Sequence, residues 1–321
     1  MLIMGISSIF SLFKSKARSA GWFAVVPAMR GIYLAEVRLG GAMPVVLRCE
    51  YFDTGMVSAA VLEKLCRENK IMDRHFTSLL KPGDYQLLPV EAPNVPDEEL
   101  KVAIRWKIKD NLNIAIEDAT VDAILIPVSK YGSERMQSMY AIAATNDNIK
   151  KHMALFEQAH VNLEVIDIQE MAQRNIAALF EQQDCALGML SFDANGGLMT
   201  LTSGGELFLA RRMEISAGQL QDANEDLRSQ FRDRVELELQ RSLDYFDRQY
   251  NHLEVSRVLV CEPEGAGLVE FLRPTIEVQV EKLDLSEVMD ISAVPALANS
   301  EALGQLLPVL GAALRQESRA A

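Results

Sequence analysis

The spacing of apolar and polar positions divides the chain into strands and helices before any single residue is considered. Residues 21–29 (GWFAVVPAM), 31–39 (GIYLAEVRL) and 42–52 (AMPVVLRCEYF) are rich in β-branched and aromatic side chains and are punctuated by Gly and Pro. They predict three successive strands joined by tight turns. From Val57 to Asn69 the apolar positions shift to helical spacing, and Asp84–Val90 returns to strand before the breaker-rich EAPNVPDEE, which predicts a subdomain boundary. Asp97, directly after Pro96, is placed to cap a helix through EELKVAIRWKIKDNL, whose apolar side carries Val102, Ile104, Trp106, Ile108 and Leu112. Strands at Thr120–Val128 and Ser138–Ala144, a helix at Asn146–Ala159 and a strand at Leu163–Ile168 follow.

A helical pattern from Ile168 to Gln182 then leads into a second cluster of strands: Leu187–Phe192, Gly197–Ser203 and Glu206–Ala210. Asn195-Gly196-Gly197 and Gly204-Gly205 supply the turns. A long helix (Asp226–Tyr250), a strand (Arg257–Cys261) and helices near Gly267–Leu272 and Glu301–Arg315 close the chain. Strands followed by helix occur twice, which predicts an internally duplicated α/β architecture.

Composition narrows the function classes. The 321 residues are 49% hydrophobic and 24% charged, with a formal charge of −13. That is a globular chain, and its charge disfavours nucleic acid as a partner because a polyphosphate would be repelled. Cys49, Cys66, Cys185 and Cys261 form no CxxC pair, and the four histidines are scattered, so neither a zinc site, nor any other metal site, nor a disulfide framework is expected and a reducing compartment fits. No stretch reaches the roughly 20 apolar residues of a membrane span. Near the start, Leu2, Ile6, Ile9, Phe10 and Phe13 recur at helical spacing, and Lys14, Lys16 and Arg18 follow the apolar run where a secretory signal would have them precede it. The expectation is a cytoplasmic protein. Residues 1–18 are either an amphipathic segment resting on a membrane or partner, or a simple tail.

Four motifs in order carry a family resemblance. VELELQRSLDYFDRQY (Val235 to Tyr250) resembles the E-I-Q-R-S-L-D-F-Y helix of the PilM family, the actin-like proteins of type IV pilus machines. EELKVAIRWKIKDNLNI resembles that family's EL-x-x-A-I-R-W-E helix, with Asn113-Ile114 where I-P is usual. VNLEVIDIQEMAQRNI resembles its crossover into the second domain, and LLPVLGAALRQ its closing A-L-G-L-A-L-R. The resemblance covers most of residues 20 to 316. It implies an actin-like (ribonuclease H-like) two-domain ATPase fold with an FtsA/PilM-type inserted subdomain: a tail at 1–19, a first domain at 20–182 with the insertion at about 91–166, and a second domain at 183–321.

The nucleotide motifs are degenerate against that pattern. Where the family carries D-I-G-S-S-S-x-K, this chain has Val25 to Gly31, with no acidic residue before Glu36 and with Pro27, which has no N–H to donate. FDANGGLMTL keeps Asp193, Asn195, Gly196 and Gly197 as candidate phosphate contacts, or equally as a plain Asn-Gly hairpin turn. VLVCEPEGAGLVEFL keeps Gly265 and Gly267, but Glu262 and Glu264 bring carboxylates to the phosphate side. By resemblance, Glu238, Arg241 and Ser242 are the ribose and adenine candidates. Asp167, Gln169 and Glu170 stand at the crossover where related folds position a water, or they cap a helix.

Together these features imply a protein with no catalytic residues that requires no cofactor, with ATP and magnesium left as an open ligand and hydrolysis not expected. The resemblance implies a cytoplasmic adaptor, peripheral at the inner membrane, that holds the cytoplasmic N-terminal peptide of a PilN-like inner-membrane protein beside other pilus platform components. The groove would lie between the first domain and its insertion. Arg105, Trp106 and Lys109 are the candidate partner surface, with Trp106 as a core residue the competing expectation. The alternative function is a working ATPase whose nucleotide state alters the domain angle.

Overall fold

The computed structural model describes residues 22–127 and 137–316; the expected N-terminal segment at 1–19 lies outside them. The chain begins with an antiparallel meander: β1 (Phe23–Pro27), β2 (Gly31–Arg38) and β3 (Val45–Asp53). Side chains alternate across it. Phe23, Val25, Ile32 and Leu34 point to one buried layer, and Ala24, Ala35, Val37 and Val46 to another, so both faces are covered. Helix α1 (Ala59–Glu68) closes the first layer, its N-terminus capped by the Ser58 hydroxyl accepting the Val61 N–H. Strand β4 (Phe76–Leu79) then pairs parallel to β1.

The insertion follows as β5 (Tyr85–Glu91), α2 (Asp97–Ile108), β6 (Ala119–Leu125), β7 (Ser138–Thr145) and α3 (Asn146–Gln158). Its three strands form a separate antiparallel sheet in the order β5-β7-β6. Two expectations are corrected here. Helix α2 starts at Asp97 with Pro96 in the cap position and no side-chain cap bond; proline is pre-set for a helix start and Asp97 is already helical. The subdomain sheet spans 85 to 145, while Phe156 of α3 packs in the first lobe's core and β8 (Leu163–Asp167) is the first sheet's edge strand beside β4.

The crossover helix α4 (Gln169–Ala177) leads into the second sheet: β9 (Cys185–Phe192), β10 (Gly197–Ser203), β11 (Glu206–Met213), short α5 (Ala217–Leu220), long α6 (Glu225–Gln249), β12 (Glu254–Cys261), α7 (Leu268–Leu272) and β13 (Gln279–Lys282). The strand orders are β3-β2-β1-β4-β8 and β11-β10-β9-β12-β13. Each is the order third, second, first, fourth, fifth, with only the second strand of each lobe antiparallel to the rest of its sheet's core. That repeated topology, with an insertion in the first half, is the actin-like ATPase fold.

The final helix, α8 (Ser300–Ala313), does not stay with the second sheet. It lies against α4, β1, β2 and β4, and one continuous core joins Ala24 and Val37 of the first sheet, Leu187 and Met189 of the second, and Leu306 and Leu310 of α8. Contact with α4 is close enough that a Cβ on Gly311 would sit 2.1 Å from the Ala172 carbonyl oxygen. Among the described residues no helix is long and apolar enough to cross a membrane.

Candidate functional site

In the repeated topology the β1–β2 and β9–β10 turns occupy equivalent places in the two sheets. The first turn is closed by the Ala28 N–H donating to the Gly31 carbonyl at 2.8 Å. Gly31 serves packing, since a Cβ there would lie 2.2 Å from the Phe52 carbonyl oxygen. Below it, Tyr33 and Tyr51 bring their rings to 4.7 Å, and burial, then Tyr51 and then Asp193, raise the Tyr33 hydroxyl above its ordinary pKa.

The second turn is bonded to itself. Asp193 Oδ1 accepts the N–H of Asn195 at 2.6 Å and of Gly196 at 3.1 Å, and the Asp193 N–H donates to the Gly196 carbonyl at 2.9 Å. Gly196 has φ +151°, and a Cβ there would lie 2.6 Å from the Met213 carbonyl oxygen. Gly197 pairs with Phe192 and Met213 in the sheet. The glycines are thus required by the turn and its neighbours, and two of the amides that could greet a phosphate already hold a carboxylate.

The third element behaves the same way. Glu262 is buried, and its Oε2 accepts the N–H of Leu268 at 2.7 Å and of Val269 at 3.1 Å. Its carboxylate satisfies the first free amides of α7, as a buried anion needs donors and a helix start has them spare. Gly265 and Gly267 adopt φ of +72° and +59°, and Arg232 Nε braces their turn through the Ala266 carbonyl at 3.0 Å. Glu264 is exposed.

On α6, Ser242 is fully buried and its hydroxyl donates to the Glu238 carbonyl at 2.6 Å. The Glu238 carboxylate meets Arg241 at 3.0 Å and Arg211 at 3.4 Å. These three candidates are therefore brought together, but their polar atoms face one another and Arg211.

At the crossover, neither acid caps α4, whose cap residue is Ile168 without a side-chain bond. Asp167 pairs with Arg315 at 2.5 Å and accepts the Ile168 N–H at 2.9 Å. Glu170 is 1% exposed. Its Oε2 accepts the Tyr85 hydroxyl at 2.5 Å, and its Oε1 lies 2.9 Å from Arg212 Nε and 2.8 Å from Nη2. Arg212 also donates to the Tyr85 oxygen at 2.6 Å and to Gln169 Oε1 at 3.2 Å. Burial and then Glu170 hold the Tyr85 hydroxyl well above its usual pKa, so it donates throughout the physiological range.

Sequence reading missed Gln173. Its amide nitrogen donates to the carbonyls of Met189 at 2.9 Å and Leu198 at 3.2 Å and to the Thr200 hydroxyl at 3.0 Å, while its oxygen accepts from Ser191 at 2.6 Å. A glutamine on the buried face of α4, between Ala172 and Ile176, was the available signal. The cavity lined by Gln169, Gln173, Asp193, Gly196, Arg212 and Leu307 is about 20 Å³. That cavity has room for one water, where drug-sized ligand pockets run to about 300–1,000 Å³, and it includes neither the Gly265–Gly267 turn nor the Glu238–Ser242 stretch of α6. A larger, open cavity of about 820 Å³ lies elsewhere, between the β2–β3 turn at Gly40 and Gly41 and residues Met289 to Ser292, and contains no residue singled out from sequence.

The candidate partner residues divide. Arg105 donates to the carbonyls of Ala119 at 2.7 Å and Ile116 at 2.5 Å, so its guanidinium holds the approach to β6. Trp106 as core is corrected: it is 69% exposed, because Ile104 and Ile108 take the inward face of α2. The Lys109 ammonium lies 5.5 Å from the Trp106 ring centroid, and Val102, one turn earlier, is also exposed.

No family model matches the chain, and no curated protein matches it. Solved structures do. The chain is similar to one in the PilM-PilN type IV pilus biogenesis complex, with a TM-score of 0.69 at 20% identity over 93% of this chain and 99% of that one. It is also similar to the cytoplasmic domain of EpsL, an inner membrane component of the type II secretion system of Vibrio cholerae, with a TM-score of 0.50 at 11% identity over 92% and 96%. At these identities the likeness is one of fold.

Proposed function

We propose that this chain is a cytoplasmic adaptor of a type IV pilus assembly machine that holds the cytoplasmic N-terminal segment of a PilN-like inner-membrane protein and does not hydrolyse ATP. One observation carries the second half of the reading: amides of both remaining phosphate elements are already bonded to the chain's own carboxylates, Asp193 and Glu262. Phosphoryl transfer depends on placing phosphates and metal, more than on covalent chemistry by the protein, so turns whose amides already hold the chain's own carboxylates are a poor place for it.

Support for the partner comes from the four ordered motifs and from the full-length likeness of fold to the PilM-PilN structure. Physically, the inserted sheet offers what an extended peptide needs. Strands β5 and β6 are its two outer strands, and a peptide can add to such an edge through main-chain bonds while side chains enter neighbouring pockets. Trp106 on the helix that covers this sheet and Lys109 directly after it contribute an exposed aromatic and a cation, and Arg105 acts through the backbone it holds.

Within pilus systems, the altered nucleotide motifs favour an MshI-type component of a mannose-sensitive haemagglutinin (MSHA) pilus. Pilin-export genes beside this one would support that assignment; their absence would remove it.

The direct experiment is calorimetry of the purified chain with ATP and magnesium and, separately, with a synthetic copy of the PilN-like N-terminal peptide. Peptide binding without nucleotide binding is expected. Micromolar ATP affinity with steady phosphate release would replace this reading by that of a working ATPase.

A further inference from the structure

The inserted sheet has two faces, and both are covered. Helix α2 covers one, with Ile104 and Ile108 against Met139, Ala141 and Ala143. The other does not face solvent: Tyr85, Tyr140 and Ala144 share a core with Ile168 and Met171 of the crossover and with Phe208 and Leu209 of β11.

The polar bonds at that junction are specific. Strand β11 is the outer strand of the second sheet, and the Tyr140 hydroxyl meets its main chain, accepting the Ala210 N–H at 3.1 Å and donating to the Phe208 carbonyl at 3.5 Å. Beside it, Glu170 takes donors from both sides of the junction, Tyr85 of the insertion and Arg212 of β11. A carboxylate this deeply buried is tolerated only with its donors in place, so the cluster accepts one relative placement of insertion, crossover and second lobe.

We infer that Arg212 is a positioning residue for partner binding: through Glu170 and Tyr85 it fixes the inserted subdomain on the second lobe, so that the peptide groove is preset and does not await nucleotide. This rests on the adaptor reading for the identity of the groove. Arg212 touches no partner in it. Its effect passes through the placement of β5 and β7, the strands that join the insertion to the first lobe.

The test uses the full chain as wild type, Arg212→Ala, Arg212→Lys and the double variant Glu170→Gln/Arg212→Met. The double variant leaves no unpaired buried charge and so guards against simple misfolding. Two quantities are read: hydrogen exchange of the amides in residues 85–91 and 138–145, against those of β1 to β3 as internal reference, and the Kd for a synthetic peptide copying the cytoplasmic N-terminal segment of the PilN-like protein encoded nearest this gene. Arg212→Ala and the double variant are expected to exchange about tenfold faster in β5 and β7 alone and to bind the peptide about tenfold more weakly, Arg212→Lys to restore most of both, and ATP with magnesium to change neither in the wild type. Unchanged exchange in the double variant refutes the pin. Loosened strands with wild-type peptide affinity refute the positioning role. A wild type that does not bind the peptide refutes the adaptor reading and the positioning role with it, while the exchange data still decide whether Arg212 fixes the subdomain.

Discussion

The carboxylate of Glu262 accepts the backbone N–H of Leu268 at 2.7 Å, so the chain supplies its own anion to the start of α7. The prediction is that Glu262→Ala destabilises the fold by roughly 1–3 kcal/mol, because it leaves two buried amides without an acceptor, and that Glu262→Gln loses less because one oxygen remains. Urea unfolding of the three proteins measures this; equal stabilities would show that water replaces the carboxylate.

Gly311 of the last helix packs so closely on the crossover that a Cβ there would lie 2.1 Å from the Ala172 carbonyl oxygen. Gly311→Ala is expected to force α4 and α8 apart and to lower stability by about 1–3 kcal/mol or more. Gly265→Ala, with nothing within 4 Å of its Cβ position, meets no clash, and any loss there reflects its φ of +72° alone, about 1–2 kcal/mol. Thermal unfolding of both variants ranks the two effects, and a larger loss at Gly265 would contradict the packing argument.

His152 packs on the Phe156 ring, its Nε2 is buried with no hydrogen-bond partner among the described residues, and burial, then Lys81, push its pKa down to about 4 from 6.5. The imidazole is neutral in the fold. Since the unfolded chain binds the proton more readily, stability is full above about pH 6.5 and falls as pH drops from 6.5 towards 4, by on the order of 3 kcal/mol over that window. His152→Gln should flatten this part of the stability–pH curve, read from urea midpoints between pH 7 and 4.5; an unaltered slope would assign the dependence to other groups.

Trp106 and Arg105 are expected to part company on mutation. Trp106→Ala should leave stability within about 0.5 kcal/mol of wild type, as for most exposed positions, and weaken the partner peptide. Arg105→Ala should cost about 1–3 kcal/mol by freeing the carbonyls of Ile116 and Ala119. Trp22 is the sole other tryptophan and half-buried, so a blue shift of emission on adding the peptide that vanishes in Trp106→Ala would place the peptide on α2. A shift retained in that variant would exclude it.

The duplication was legible because it is written in local signals: β-branched and aromatic runs in β1 to β3, short apolar runs in β9 to β11, and glycine pairs at the turns between them, as at Gly196. The two strands left out, β4 and β13, have four residues each. Phe76 to Leu79 are buried throughout and so show no alternation to read. For Trp106 the sequence leaves surface and core both open because its helix has apolar residues on more than one side, and periodicity cannot say which side meets the sheet.

What the sequence determined by itself is therefore the order of elements, their turns, and the loss of an acidic residue and an amide from the first hairpin at Pro27. Which charges meet was decided only by tertiary structure. Glu170 and Arg212 are 42 positions apart, Asp167 and Arg315 148 apart, and nothing in the spacing of either pair foretells the contact. Their pairing follows from the sheets folding over α4 and α8, where burial makes an unmatched carboxylate costly and so selects the one arrangement that matches it.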